Sequence, residues 1–296
     1  MKPIYSIFSV ANPFRIALIL LVATLSLFTA RLAKGQGYKR SDSTHCASPE
    51  LTDNQRRNLD EMAKLAFQLK KASGKAFTDV VHIPLRPHVF RQKNGTGGFD
   101  LSRLNNVIAL TNSYYLANGL GIQFYLAGTS PDYIDDDALF AGFTGNSELA
   151  IDGRDANTAM NMYFVNAFTD PGLAGYAYYP GNLVLSTRSF IGTGPTATEN
   201  DLGNRLIPHE LGHNFNLFHT HQGSTGATPE LVTRGAGANC TTAGDRICDT
   251  PADPNGRPGA SITNVNGCPT YKGTATDPTG MTYSPSISNI MSYYFP

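Results

Sequence analysis

No basic run and no interleaving of basic with aromatic residues occurs anywhere in the 296 residues, and the formal charge is zero. That excludes a nucleic-acid-binding surface. Charge of either sign is scarce, at 16% of residues, while glycine and proline number 29 and 18. Such a chain is rich in loops. Long apolar runs are also scarce: residues 16–30, IALILLVATLSLFTA, behind Lys2 and Arg15, have no second example. At about 15 residues this run is short of the ~20 that a membrane-spanning helix needs and long enough for a signal-peptide core. Cleavage after Ala33-Lys34-Gly35 would leave Gln36 as the new terminus, and an uncleaved anchor is the alternative. Removal of residues 1–35, which hold Lys2, Arg15, Arg31 and Lys34 and no acid, takes the charge to about −4. The remaining stretch of about 260 residues is expected to be soluble, with no membrane contact after cleavage, and large enough for one catalytic unit. Cysteine is sparse too. Cys46, Cys240, Cys248 and Cys268 allow three complete pairings, and an exported location makes disulfides reasonable among the last three.

Against this background the histidines stand out, because four of the seven fall between residues 209 and 221. In His209-Glu210-Leu211-Gly212-His213 the two histidines lie one helical turn apart on one face, so both imidazoles reach a single metal. Zinc needs a third protein ligand, and His219 supplies it if the helix ends soon after His213 and the chain doubles back. Three ligands leave a fourth position for water, the pattern of a catalytic site. Glu210, beside the ligands, is placed to take a proton from that water, so the chemistry expected is metal-assisted hydrolysis. His221 is expected beside the site rather than as a fourth ligand, which would close it.

His209 to His219 resembles the HExxHxxGxxH motif of the metzincin metallopeptidases, with Asn216 where that clan has glycine. The glycine turns the chain in a left-handed conformation; asparagine tolerates that conformation best among the other residues, at a local cost of ~1 kcal/mol. Asn289-Ile290-Met291-Ser292-Tyr293 is similar to the Met-turn of the clan, in which the methionine floors the metal site and the tyrosine reaches toward the metal or the oxyanion. With Gly244 to Pro251, Ile83 to Phe90 and Gly121 to Phe124, the likeness extends over roughly residues 44–294 and points to the pappalysin branch, specifically cytophagalysin-like secreted members.

The resemblance implies an α+β fold: a mixed twisted sheet with a backing helix, a zinc-binding active-site helix and an irregular C-terminal subdomain. It implies zinc on His209, His213 and His219, Glu210 as the catalytic base and Tyr293 at the oxyanion. It implies Gly175, Tyr176 and Ala177 as the strand that pairs with a peptide substrate, and calcium candidates at Asp245, Asp249 and Thr250. A plain Asp-Pro turn is the alternative reading of residues 249–251. Cys46 lies where similar peptidases carry a cysteine segment ahead of the catalytic domain, and its thiolate would hold a zymogen latent on the open metal position; a disulfide from Cys46 to a downstream cysteine is the competing reading. Related chains continue beyond the Met-turn, whereas this one ends at Pro296, which is expected to remove part of the wall that reads the residue after the scissile bond.

Local patterns fill in the rest. Thr52 to Gln55 reads as a capping box opening a helix toward residue 71, and residues 36–77 are expected to form a pro-segment or an N-terminal extension ahead of a catalytic domain at 78–296. Val80 to Phe90 alternates as a strand that Arg86 and Pro87 mark as bulged or at an edge, with His82 and His88 as packing or surface residues. Asp100 caps a helix carrying Leu104, Ile108, Thr111 and Tyr115 to about Asn118. Strands are expected at 122–126, 162–165, 175–179 and 183–186, a solvated loop at Asp135 to Asp137, and the metal helix from 199–202 onward. The sum is a secreted zinc endopeptidase acting on protein or peptide substrates. A silent zinc-containing binding or adhesion protein is the alternative, disfavoured because a structural site has no use for Glu210.

Overall fold

Val81–Arg91 (β1) sends the fully buried Leu85 and Val89 into one core cluster and Phe90 into the other, and the sheet is built around it. The structure is a computed structural model and describes residues 80–180, 188–254, 262–265 and 268–294, with Ser48, Leu51, Thr52 and parts of 54–68 ahead of them. The apolar run at 16–30, Cys46 and the strand expected at 183–186 lie outside the described residues. Residues 54–58 are helical, behind a reciprocal capping box in which the Thr52 N–H donates to Gln55 Oε1 at 2.8 Å and the Gln55 N–H donates to Thr52 Oγ1 at 3.3 Å.

The other strands are Ile122–Leu126 (β2), Asp132–Asp135 (β3), Met160–Val165 (β4), Gly175–Ala177 (β5) and Arg188–Gly192 (β6). They order as β2-β1-β4-β6-β5, with β3 also on β1; all pairings are parallel except β5 with β6. The sheet is therefore mixed, and its one antiparallel strand is the short edge strand β5.

β1 is central rather than at an edge. Pro87 is tolerated there because β2 pairs with residues 81–85 and β3 with 88–91, leaving 86 and 87 between partners on that flank. The Arg86 guanidinium fills the gap by donating to the carbonyls of Ala127 and Ser130 at 3.1 and 2.8 Å.

One face of the sheet is covered by helix α1, Leu101–Ala117, whose first turn is capped by Asp100. Leu104, Val107 and Ile108 of α1 pack with Leu85, Val89, Met162, Phe164 and Ile191 of the sheet and with Leu202, Ile207 and Leu211 of the metal helix. Asn112 of α1 fastens β2 by donating to the Phe124 carbonyl at 2.8 Å and accepting its N–H at 2.7 Å. The opposite face buries Phe90, Phe143, Tyr163, Tyr176, Tyr178 and Phe190. Each such buried Leu or Phe contributes roughly 1.5–3 kcal/mol of transfer free energy, so β4 is held from both sides by its alternating side chains.

Asp135 to Asp137 is not a loop. Asp135 ends β3 and pairs with Arg91 at 2.7 Å, while the Asp136 carboxylate caps the short helix α2, Asp137–Ala141. A 3₁₀ segment, Gly145–Ile151, follows. The metal helix, α3, runs through Glu199–Asp201, a π-turn at Leu202–Leu206 and Ile207–Asn214. Beyond it the described chain is irregular apart from a hairpin of Ile262–Val265 (β7) and Cys268–Tyr271 (β8), and a Cys240–Cys248 disulfide closes one loop.

Candidate metal centre and active site

His209 and His213 project from the last two turns of α3, and His219 returns to them because the helix stops where the spacing requires. Asn216 stands at φ 70°, the Asn216 N–H donates to the His213 carbonyl at 2.9 Å, and the Leu217 N–H donates to the Gly212 carbonyl at 2.9 Å. This is a left-handed helix ending on a non-glycine residue. It brings His219 Nε2 to 3.2 Å from His209 Nε2 and 3.1 Å from His213 Nε2.

The outward ring nitrogens fix which atoms face inward. His209 Nδ1 lies 2.7 Å from the Ile290 carbonyl and His213 Nδ1 2.8 Å from the Leu217 carbonyl. A carbonyl accepts only, so each Nδ1 carries the proton and each Nε2 presents a lone pair. Burial pushes His209 down to about 4 and holds His213 and His219 well below the ordinary histidine range, with the neighbouring imidazoles adding to the effect for the last two. Three neutral imidazoles with converging lone pairs fit a divalent metal. Among the described residues, His209, His213 and His219 are the one group of histidine, cysteine and acidic side chains that closes in this way.

Glu210 is fully buried beside them. Gly175 of β5 makes room for it, since a Cβ there would stand 2.9 Å from Glu210 Oε1 and 2.8 Å from the Phe190 carbonyl. Below the helix Met291 is buried, and a Cβ on Gly212 would meet its Sδ at 2.5 Å. The Tyr293 hydroxyl lies 3.1 Å from His219 Nε2, on the metal side of that ring. His221 packs against His219 and Tyr293, with ring centroids 5.1 and 4.4 Å away.

Residues 101–220, from α1 to just past His219, match the model of a metallopeptidase family described as M12B reprolysin-like. An extracellular metalloprotease of Sordaria macrospora is 27% identical over 256 residues, 79% of this chain and 75% of that protein. The protein is a zinc metalloendopeptidase. An extracellular metalloprotease of Colletotrichum graminicola is 32% identical over 145 residues, 46% of this chain and 41% of that protein. A promirolysin mutant of Tannerella forsythia has a similar fold, with a TM-score of 0.51 at 17% identity, covering 81% of this chain and 82% of the other. The fold is metzincin-like, and the peptidase acts on protein or peptide substrates.

Several residues around the site were not singled out by sequence reasoning, because their partners are distant in the chain. Asn214, next to His213, donates to the carbonyls of Tyr178 and Arg188 at 2.9 and 3.2 Å and accepts the Ser189 hydroxyl at 2.5 Å. Asp253 accepts from the Thr220 hydroxyl at 2.5 Å and the Tyr294 hydroxyl at 2.9 Å, tying the residue after His219 to the segment after Met291. The Ala177 N–H of β5 donates to the Ser48 hydroxyl at 3.1 Å, and Leu51 packs against Tyr179 and Phe218.

Away from the metal, Asp245 is buried and accepts the Ile247 N–H at 2.9 Å, Thr250 is buried, and Asp249 is exposed. Their acidic groups do not converge as the histidines do. Nearby Glu230 has one carboxylate oxygen bound to Arg234 at 2.8 Å; its Oε2 is buried without a hydrogen-bond partner among the described residues. His88, fully buried, lies against Asp132 and Asn161 at 2.8 and 3.0 Å and stacks on Tyr163, as a packing residue does.

Proposed function

We propose that the protein is a secreted endopeptidase of the pappalysin branch that hydrolyses peptide bonds in extracellular proteins, with His209, His213 and His219 holding zinc and Glu210 as the catalytic base. The observation that carries this reading is the convergence of the His209 and His213 Nε2 atoms to within 3.2 Å of His219 Nε2 beside a fully buried Glu210. Zinc, when bound, supplies Lewis-acid chemistry that polarises a carbonyl and brings the pKa of water toward about 7. Glu210 takes the proton of the attacking water and returns it to the leaving amide nitrogen. The Tyr293 hydroxyl donates to the carbonyl oxygen as negative charge develops on it. Gly175, Tyr176 and Ala177 of the edge strand pair with an extended substrate backbone once Ser48, which holds the Ala177 N–H, is displaced. Met291 floors the site.

The pappalysin assignment is supported by the Gly244 to Pro251 segment and the Met-turn, both beyond the residues that match the reprolysin-like model. Secretion is supported by the apolar run at 16–30 and by the names of the relatives. Residues 36–77 act as a pro-segment, a role supported by Ser48 on the Ala177 N–H, with Cys46 as the latency thiol. Calcium is assigned to Asp245, Asp249 and Thr250, and the unpartnered Glu230 oxygen supports a cation in that region.

The deciding experiment is Glu210→Gln. Zinc should stay bound at about one equivalent while casein hydrolysis falls by a factor on the order of 10³ or more, because the ligands are intact and the proton acceptor is gone. Near-normal turnover in this variant would overturn the assignment.

A further inference from the structure

The edge strand β5 is three residues long and, among the described residues, pairs only with β6. A substrate-pairing strand must nonetheless hold its height and register to within a fraction of an ångström, because misplacement of the scissile carbonyl is costly in rate. From the helix side Asn214 provides one hold, through the Tyr178 and Arg188 carbonyls. The other hold comes from the opposite face of the sheet. Glu148, on the 3₁₀ segment Gly145–Ile151, accepts the hydroxyls of both Tyr176 and Tyr178 on one oxygen, Oε1, each at 2.7 Å. Its other oxygen accepts from Arg188 of β6 at 3.2 Å, and Arg188 also donates to Asp155 at 2.8 Å. Tyr176 and Tyr178 are two residues apart and so point to the same face of the strand, with Gly175 and Ala177 facing the other way.

Glu148 and Arg188 are both buried, and stability alone does not account for them. A buried ion pair is often matched or bettered by apolar residues of the same volume, since desolvation offsets the attraction. What an apolar side chain cannot do is fix two phenol groups to a single point. Two short hydrogen bonds to one oxygen of a carboxylate, whose other oxygen is held by an arginine of the neighbouring strand, define where the strand lies along its own axis.

We propose that Glu148 is a positioning residue for peptide hydrolysis, pinning β5 through Tyr176 and Tyr178 so that a substrate backbone paired with that strand is presented in register to Glu210. The proposal rests on the assignment of Gly175 to Ala177 as the substrate-pairing strand. Glu148 touches neither substrate nor metal. Its contribution therefore grows with the length of substrate that lies along the strand.

The test uses two quenched-fluorescent peptides with the same residues around the cleaved bond, one carrying two residues and the other six on the strand-pairing side, with the full-length secreted protein. The native protein should cleave the longer peptide with at least tenfold higher kcat/KM. Glu148→Ala should bring that ratio to within twofold of unity while zinc remains at one equivalent, whereas Glu148→Gln, which keeps a carbonyl oxygen for the two hydroxyls, should retain at least fivefold. If Glu148→Ala does not fold, the Tyr176→Phe, Tyr178→Phe double variant carries the same expectation and leaves Arg188 paired. A folded variant that keeps the native ratio, or loses both peptides in equal proportion, overturns the role of Glu148 and leaves the strand assignment standing. A native protein with no length preference overturns the strand assignment and this inference with it.

Discussion

The two sides of the metal are built by different means. Above it, residues 81–214 form a sheet and helices whose order follows from hydrophobic periodicity, and they supply His209, Glu210 and His213 on one regular helix. Below it, residues 215–294 contain one described hairpin and supply His219, Met291 and Tyr293 from turns held by side-chain hydrogen bonds. Regular structure repeats its contacts, so loss of one is shared by its neighbours. An irregular segment depends on single bonds, and each carries more of the local order. The lower half should accordingly be the more sensitive to metal, to point changes and to pH.

The largest effect should come from removing the metal. Chelation should abolish hydrolysis, by a factor on the order of 10³ or more. It should also expose residues 215–294 to limited proteolysis well before 81–214, as read by mass spectrometry of the fragments. Equal cleavage of both halves would erase the contrast between them. Next in size is Asp253→Ala, which frees Thr220 beside His219 and leaves the buried Tyr294 hydroxyl without its carboxylate. Zinc affinity and kcat/KM should each fall about 10- to 100-fold, the range seen when groups that orient metal ligands are lost, measured by competition with a chromophoric chelator and by peptide hydrolysis.

Asn216 tests the turn that joins the halves. Asn216→Gly should change stability by no more than about 1 kcal/mol, and Asn216→Val should cost more and weaken zinc binding, because a β-branched side chain is strained at φ 70°. Thermal melts of the zinc-loaded proteins separate the two outcomes. The smallest effect concerns Glu230. Burial, with Asp245 and Asp253 adding repulsion, pushes its carboxyl from 4.5 up to about 7. A carboxyl whose pKa is higher folded than unfolded favours the folded state at low pH, and that stability is lost as pH rises from about 4.5 to 7. The melting temperature of calcium-free protein should decline over that window, and Glu230→Gln should flatten the decline. A cation bound there would do the same.

This division also explains what was legible in the sequence. The Asp100 cap, the α1 core positions, the metal helix and the left-handed Asn216 all depend on neighbours within a few residues, and each is in the structure where the pattern places it. The position of β1 was misread. Pro87 marks an edge only if one neighbour strand runs its full length, and here two short strands share that flank. Asp135 to Asp137 are exposed as expected but read as a loop, because the partner Arg91 that fastens Asp135 in its strand lies 44 residues away. Glu148, Asn214 and Asp253 were invisible for the same reason: a buried polar residue is recognised by its partners, and these lie 25 to 41 residues off in chain order or span two strands at once.

The bond between His209 Nδ1 and the Ile290 carbonyl spans 81 residues. Its consequence lies in the order of events during synthesis. A nascent chain emerges with the metal helix first, when the carbonyl that dictates the proton placement on His209 is still unmade or inside the ribosome. Thr220 waits likewise for its bond to the Met291 carbonyl. The helix can form early, since its contacts are local, whereas the pairing that readies His209 for a metal is among the longest-range closures and so among the slowest. The proton placement on His209 therefore waits on residues near 290, a dependence that belongs to topology and is separate from any pro-segment.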